Sequence, residues 1–146
     1  MKEDDFDKFV ENLQQEIIDK ELEDYNERIV ELFHNPQNWG KLEDAETSSQ
    51  KAYKGPCGDT MQFFLKINKD KIIEKATFIT DGCGASVATG SQTTLMIIGK
   101  SLEYAENLKA EEIDEALMGL PDDHKHCAEL AVRTLKQTIQ EYRQKQ

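Results

Sequence analysis

Apolar side chains in the first third of the chain follow a helical period. They recur every three to five positions, at Phe6, Phe9/Val10, Leu13, Ile17, Leu22, Tyr25, Ile29 and Leu32/Phe33. A spacing close to the helical repeat predicts one long amphipathic helix. Asn35 precedes Pro36, and a residue before proline is pushed out of the helical region, so we expect the helix to end there.

The middle of the chain changes to the two-residue alternation of strands. Residues 41–51 are polar and lack any period, which predicts a mobile linker. From Met61 to Asn68 apolar and polar side chains largely alternate, and a second run with strand character covers Ile72 to Thr80. Because Asn68-Lys69-Asp70 has the composition of a tight turn, the two runs predict a β-hairpin.

Helical patterns return in the second half of the chain. A last helix starts after Pro121, with Asp122 or Asp123 as its N-cap. Three shorter helices are expected before it, over about Ser86–Ile98, Leu102–Leu108 and Glu111–Leu117. The elements together predict an α+β fold, in which a small antiparallel β-sheet has α-helices packed on one face and follows a long N-terminal helix.

Composition limits the class of protein. The 146 residues fit one globular domain with a core that needs no disulfides. A net charge of −11 leaves no basic footprint for nucleic acid. Residues 1–35 carry 12 acidic and four basic side chains, which we interpret as a solvated helix face rather than a docking surface for a basic partner.

Hydropathy and the N-terminus bear on the compartment. Mean hydropathy is −0.70, and the longest apolar runs, such as Leu95 to Ile98, are too short to cross a membrane. The acidic start of the chain lacks the apolar stretch of a secretion signal, so we expect a cytoplasmic location. In that reducing compartment three cysteines stay unpaired, which favours metal binding or thiol chemistry.

None of the three cysteines is placed like an ordinary core residue. Cys57 and Cys83 have glycine beside them, which uncovers the thiol and lets the backbone bend sharply. Cys127 follows His126 in the predicted first turn of the last helix, where the helix dipole favours thiolate over thiol. Cys83 lies between a predicted strand and a predicted helix, so the dipole of that helix should favour its thiolate as well.

The three cysteines allow several interpretations. The simplest is that all three are buried structural residues without a chemical role. A Cys–His nucleophile pair is disfavoured, because adjacent helical residues such as His126 and Cys127 point in different directions. Gly82-x-Gly84 lacks the third glycine of a dinucleotide loop. No CxxC spacing of a structural zinc site is present. A metal site built from scattered ligands remains, with three thiolates and either His126 or Asp59 as the fourth.

A family resemblance rests on the motifs taken together. The segments that carry it are Asn35-Pro36-Gln37-Asn38, Gly55-Pro56-Cys57-Gly58-Asp59, Gly82-Cys83-Gly84-Ala85-Ser86, Gly99-Lys100-Ser101-Leu102 and His126-Cys127. In this order they resemble the IscU/NifU N-terminal type of iron–sulfur cluster assembly scaffold. The resemblance covers roughly residues 25–142. It implies a scaffold domain at residues 25–146, preceded by an acidic N-terminal helical extension at residues 1–24.

The resemblance also implies a site. Cys57, Cys83 and Cys127 hold a nascent cluster, [2Fe–2S] or alternatively [4Fe–4S], with Asp59 and His126 as non-cysteine partners. Zinc occupies the same donors when no cluster is bound. Cys127 is the candidate sulfur acceptor. Thiolates suit iron–sulfur clusters, whereas a carboxylate is a hard, exchangeable ligand, so we hypothesise that Asp59 keeps the site labile.

Partners follow from the same resemblance. A scaffold of this type is not an enzyme, because a cysteine desulfurase delivers persulfide sulfur and iron or electron donor proteins supply the rest. Apo-proteins accept the cluster, and a homodimer is compatible with the role. Members served by a specialised Hsp70 chaperone carry Leu-Pro-Pro-Val-Lys before His-Cys, but here the stretch is Leu120-Pro121-Asp122-Asp123-His124. The resemblance therefore does not extend to that chaperone.

Two alternatives stay open at this point. His124 replaces the family's lysine and offers either an extra ligand or none. The second alternative is a zinc-bound sulfurtransferase of the same fold, which accepts and passes on sulfur without building a cluster. That branch carries an insertion between the second and third cysteines and lacks the histidine, whereas this chain has no obvious long insertion and has His126.

Overall fold

The computed structural model describes residues 3–146, apart from the side chains at positions 3, 4, 21, 23 and 24. Its elements in chain order are α1 (Glu3–Asp24), α2 (Glu27–His34), β1 (Ser49–Lys54), β2 (Thr60–Ile67), β3 (Ile73–Thr80), α3 (Gly84–Ile97), α4 (Leu102–Glu106), α5 (Ala110–Ala116) and α6 (His126–Gln144). Short 3-10 turns at Asp44–Glu46 and Asp122–His124 precede β1 and α6. No helix among the described residues combines the length and hydropathy needed to cross a bilayer.

The three strands form one antiparallel sheet in the order β1-β2-β3. Phe63 in the central strand lies opposite Phe78 of β3. In the turn between β2 and β3, Asn68 Oδ1 accepts hydrogen bonds from the backbone N–H groups of Asp70 and Ile72 at 2.9 and 3.0 Å. The predicted hairpin and the α+β class are both confirmed.

The predicted mobile linker over residues 41–51 is wrong at its C-terminal end. β1 begins at Ser49 and adds a third strand to the hairpin. Ser49 is buried, and its hydroxyl donates a 2.6 Å hydrogen bond to the carbonyl of Thr138 in α6. Pairing with β2 and contact with α6 specify this strand, and neither leaves an apolar period in the local sequence.

Helix α6 packs on β1 and β2, and α3 packs on β3. Met61, Phe63 and Leu65 of the central strand are fully buried. A Cβ atom added at Gly90 of α3 would lie 2.3 Å from the ring of Phe78, so the helix approaches the sheet more closely than a larger residue allows. The same packing brings the first turns of α3 and α6 together.

The N-terminal helical stretch consists of two helices, which corrects the prediction of one. They are separated by Tyr25 and Asn26. Asn26 caps α2, because its Oδ1 accepts a 3.0 Å hydrogen bond from the N–H of Ile29. Its Nδ2 donates to the carbonyls of Leu117 and Gly119 at 2.8 and 3.0 Å. These long-range hydrogen bonds fix the junction and end the first helix.

The two N-terminal helices differ in what their apolar sides contact. In α2, Ile29 and Leu32 are buried in the core. In α1 the apolar stripe is largely uncovered by the described chain, with 37–62% of each side chain exposed at Phe6, Phe9, Leu13, Ile17 and Leu22. The apolar period therefore predicted helix correctly but did not indicate which helix belongs to the core.

The last helix begins later than predicted. Asp122 and Asp123 lie in the 3-10 turn, and α6 starts at His126 without a side-chain cap. The predicted aspartate N-cap is therefore wrong. His124 closes the turn, and its N–H donates a 2.8 Å hydrogen bond to the carbonyl of Pro121. The turn leaves His124 outside the helix, ahead of its first residue.

Candidate metal centre

Three segments far apart in the sequence meet at one end of the sheet: the β1–β2 loop, the β3–α3 turn and the start of α6. Asp81 ties the first two together, because its Oδ1 accepts a 2.7 Å hydrogen bond from the N–H of Thr60. The hydroxyl of Thr80 donates to the carbonyl of Thr60 at 2.7 Å. The residues that precede β2 and follow β3 are thereby held side by side.

The β1–β2 loop carries two predicted donors. The N–H of Gly55 donates to the carbonyl of Asp59 at 2.9 Å, which closes the loop. Gly58 has a φ of +93°, a left-handed conformation that favours glycine. This turn leaves Cys57 exposed and Asp59 half-buried. A Cβ at Gly55 would lie 3.0 Å from Leu130, so the loop rests directly on α6.

The β3–α3 turn presents Cys83 at the N-cap of α3. The backbone N–H groups of Ala85 and Ser86 face its sulfur and stabilise a negative charge there. A Cβ at Gly84 would lie 1.8 Å from the ring of Phe33. Glycine at this position lets α2 pack against the turn, which fixes the direction of the cysteine beside it.

Cys83 and Cys127 share a hydrogen bond that separates their pKa values. Donation from the Cys127 thiol, helped by the N–H groups of Ser86 and Ala85 and by His124, lowers the pKa of Cys83 to about 4 against the effect of burial. The same hydrogen bond and burial raise the pKa of Cys127 well above its ordinary value. Without a bound metal, Cys83 carries the thiolate and Cys127 keeps its proton.

The sequence predicted a thiolate at both helix starts. For Cys83 the lowered pKa confirms it. For Cys127 the expected direction is wrong, because this thiol is fully buried and lies beside the Cys83 thiolate, and both effects outweigh the helix dipole. The role of Cys127 as first sulfur acceptor is a separate matter and stays a prediction.

The donor atoms form two groups of three. We call Cys83, His124 and Cys127 the inner group, and Cys57, Asp59 and His126 the outer group. Within each group the ligand atoms lie within 4.8 Å of one another. The two groups adjoin, since Sγ of Cys127 lies 3.8 Å from Nε2 of His126. All five donors named from the sequence therefore converge at one place.

His124 is the candidate donor whose role the sequence motifs leave open. Its Nδ1 lies 3.7 Å from Sγ of Cys83, and its Nε2 lies 3.3 Å from the hydroxyl of Tyr25. A signal was present in its three-residue spacing from Cys127, which places two side chains on the same side of a helical turn. His34 lies outside both groups.

The chemistry of these donors fits a soft or borderline metal. Thiolate and imidazole suit zinc and iron–sulfur clusters, whereas carboxylate prefers harder ions. The two groups together offer more donors than the four ligands that a tetrahedral zinc ion binds. The site can therefore hold a metal or a cluster while some of its donors exchange.

These features define a class of small α+β domains in which thiols from three separate segments converge at one candidate metal centre. The family model described as NifU-like N terminal domain matches residues 24–146, and the chain belongs to that family. The family resemblance predicted from the cysteine motifs is confirmed.

Relatives cover most of the chain. It is 42% identical over 124 residues to the iron–sulfur cluster assembly scaffold protein IscU of Aquifex aeolicus, spanning 84% of this chain and 78% of that protein. It is 36% identical over 123 residues to the protein of the same name in Escherichia coli, spanning 83% and 95%. The structure of a nitrogen-fixing NifU-like protein (N-terminal) from Brucella abortus matches 86% of this chain and 98% of that one, with a TM-score of 0.63 at 19% identity, and supports the fold.

Proposed function

We propose that this protein is a scaffold on which an iron–sulfur cluster is assembled from iron and persulfide sulfur and then passed to apo-proteins. The convergence of three thiols, a carboxylate and imidazoles from separate segments carries the proposal. Relatives at 36–42% identity bear the name of such a scaffold. In this role the chain is a scaffold protein and not an enzyme.

We assign the donors different roles in binding the cluster and in releasing it. Cys57, Cys83 and Cys127 are the proposed thiolate ligands, with Asp59 and His126 as non-cysteine ligands. A [2Fe–2S] cluster takes two protein donors on each iron, so the site offers a sufficient set. Asp59 is the hard ligand that exchanges when the cluster leaves. Zinc takes the same donors when no cluster is present.

Sulfur reaches the site from the persulfide of a cysteine desulfurase. A scaffold thiolate attacks the outer sulfur of that persulfide, a new S–S bond forms on the scaffold, and the desulfurase thiolate leaves. An electron pair from an electron donor protein then reduces the transferred sulfur to sulfide, and an iron donor supplies Fe²⁺. Cys127 is the acceptor proposed from the sequence, but it is buried and protonated in the metal-free protein, so the exposed thiolate of Cys83 is the better-placed nucleophile for this attack.

We also propose a boundary within the chain. Residues 25–146 form the scaffold domain and residues 1–24 form an acidic helical extension. The start of the family match at residue 24 and the break between α1 and α2 support this boundary. The cytoplasm is the proposed location, because a reducing compartment keeps these thiols available.

Anaerobic reconstitution tests the proposed function. Purified protein is incubated with Fe²⁺, cysteine and a cysteine desulfurase, and visible absorption, iron and acid-labile sulfide are measured. We expect a coloured protein with iron and sulfide in equal amounts, which then transfers its cluster to an apo-ferredoxin. A colourless protein that keeps only zinc and still accepts persulfide would contradict the scaffold and favour a sulfurtransferase.

A matched control separates the site from the rest of the chain. The variant His34→Asn removes a histidine that lies outside both donor groups. It should assemble as much cluster as the parent protein. The variant in which Cys57, Cys83 and Cys127 are all serine should assemble none.

A further inference from the structure

His124 has a different partner at each ring nitrogen. Nδ1 faces Sγ of Cys83 at 3.7 Å, and Nε2 faces the hydroxyl of Tyr25 at 3.3 Å, with Oδ2 of the exposed Asp123 farther away at 3.9 Å. The phenol can donate or accept, so it can serve either tautomer of the imidazole. The ring is therefore oriented with one nitrogen toward the thiols and the other toward a hydrogen-bonding side chain.

This is the arrangement of a metal-binding histidine and its supporting partner. An imidazole that binds a metal through one nitrogen carries its proton on the other, and an oxygen atom usually accepts that N–H. The hydroxyl of Tyr25 is in place to accept from Nε2 of His124 when Nδ1 is bound. The rings of the two residues lie 5.5 Å apart between centroids and are tilted by 51°, so they also pack together.

The backbone holds both residues in these positions. The N–H of His124 donates to the carbonyl of Pro121 within the 3-10 turn. Tyr25 precedes Asn26, whose side chain is bonded to the carbonyls of Leu117 and Gly119. The junction between α1 and α2 is therefore tied to the segment that leads into the turn. Tyr25 and His124 are both half-buried, which limits competition from water.

We propose that the inner group is a binding site for one Fe²⁺ ion, in which His124 is a protein ligand through Nδ1 and Tyr25 is its positioning residue. Two thiolates and an imidazole form a donor set of the borderline-soft kind that binds Fe²⁺ and Zn²⁺. The fourth position is left for a donor of the outer group or for incoming sulfur. The inference rests on the proposed function for the identity of the ion as iron.

Zinc binding to the full chain tests the coordination itself, because Zn²⁺ takes the same donors without redox chemistry. ¹⁵N NMR of the histidine rings is recorded before and after addition of an equimolar amount of Zn²⁺. We expect the His124 resonances to show Nδ1 bound to the metal and the proton on Nε2. Unchanged His124 resonances in zinc-loaded protein would overturn the proposal, whether or not any variant folds.

Variants add an affinity measurement by competition with a chelator. His124→Asn should weaken zinc binding by about 10–100-fold, the range for groups that support a metal site and a lower bound for a direct ligand. Tyr25→Phe should weaken it less and should alter the Nε2–H signal of His124. The matched control His34→Asn should bind as the parent does. Parental affinity in folded His124→Asn, checked by circular dichroism, would contradict the proposal.

The two proposals fail in different ways. Loss of cluster assembly with His124 still bound to zinc would reject the scaffold function and leave the ligand in place. Full cluster assembly with His124 unaffected by zinc would support the scaffold and reject the ligand.

Discussion

The inner and outer groups differ in burial and in the hardness of their donors. The inner group has two sulfurs and an imidazole, and its Cys127 is fully buried. The outer group has a single sulfur, on the exposed Cys57, together with the carboxylate of Asp59. Soft sulfur and imidazole donors hold iron and zinc firmly, whereas a hard carboxylate such as that of Asp59 exchanges readily. We therefore propose that the inner group retains the bound metal or cluster and that the outer group permits its release.

The backbone under each group is fixed in a different way. Position 84, beside the inner group, requires glycine because a Cβ atom there would overlap the ring of Phe33 in α2. Gly58, in the outer loop, is required by its positive φ, and a Cβ there would meet open space. Tertiary packing therefore positions the inner donors, while a local turn positions the outer ones.

The largest expected difference is between cysteine variants. Cys83→Ser and Cys127→Ser each remove an inner sulfur and should abolish cluster absorbance in anaerobic reconstitution. Cys57→Ser removes the outer sulfur and should leave a measurable part of the cluster absorbance, because both inner sulfurs remain and the serine oxygen can take the position of the lost sulfur. Equal loss in all three folded variants would remove the distinction between the groups.

Substituting the two glycines should sharpen the contrast in stability. Gly84→Ala places a methyl group into the partly exposed ring of Phe33, which must shift, and should lower the free energy of unfolding by about 2 kcal/mol. Gly58→Ala introduces only backbone strain at a positive φ and should lower the free energy of unfolding by about 1 kcal/mol. Urea unfolding monitored by circular dichroism measures both. A larger loss at Gly58 would show that the loop, and not the packed turn, is the better-constrained element.

Release of the cluster tests the outer carboxylate. Asp59→Ala should slow transfer to an apo-ferredoxin by about tenfold, which corresponds to ~1.4 kcal/mol in the barrier, because the exchangeable ligand is lost. The transfer is followed by the circular dichroism of the acceptor's cluster, and Asp70→Ala, at an exposed position in the β2–β3 turn outside both donor groups, serves as an acidic control. Transfer at the parental rate would contradict the role given to Asp59.

The smallest expected effect is in thiol reactivity. Since the pKa of Cys83 is lowered to about 4, alkylation of this cysteine in metal-free protein should change little between pH 8 and pH 6 and fall as the pH approaches 4. The stabilising contribution of this thiolate is complete only above the ordinary cysteine pKa of about 9, and it is lost progressively as the pH falls from there through about 4. Cys127→Ala removes the hydrogen-bond donor, so alkylation at pH 6 should slow several-fold. Peptide mass spectrometry of the alkylated sites supplies the rates, and an unchanged pH profile in the variant would reject the shared hydrogen bond.

The candidate donors that belong to recognisable motifs could be named from the sequence, although their role as ligands stays a prediction. Cys57 and Asp59 share one short loop, and His126 and Cys127 are adjacent, so their identities needed no tertiary information. The hairpin was also predictable, because its alternation and its Asn68 turn are local signals.

The features of the fold and of the site that could not be predicted depend on contacts between residues far apart in the sequence. Tyr25 is 99 positions from His124, so no local pattern shows that it orients that ring. Asn26 ends the first helix through carbonyls beyond residue 116, and Ser49 joins the sheet by bonding to α6. The raised pKa of Cys127 likewise comes from a thiolate brought to it by the fold.

Zinc retention in two double variants tests the division between the groups most directly. In the same chelator competition, Cys57→Ser/Asp59→Ala should keep its zinc affinity within about tenfold of the parent. Cys83→Ser/Cys127→Ser should lose at least about 100-fold, since even groups that only support a metal ligand are worth about 10–100-fold. Equal losses in the two folded variants, or a greater loss in the outer pair, would contradict the account.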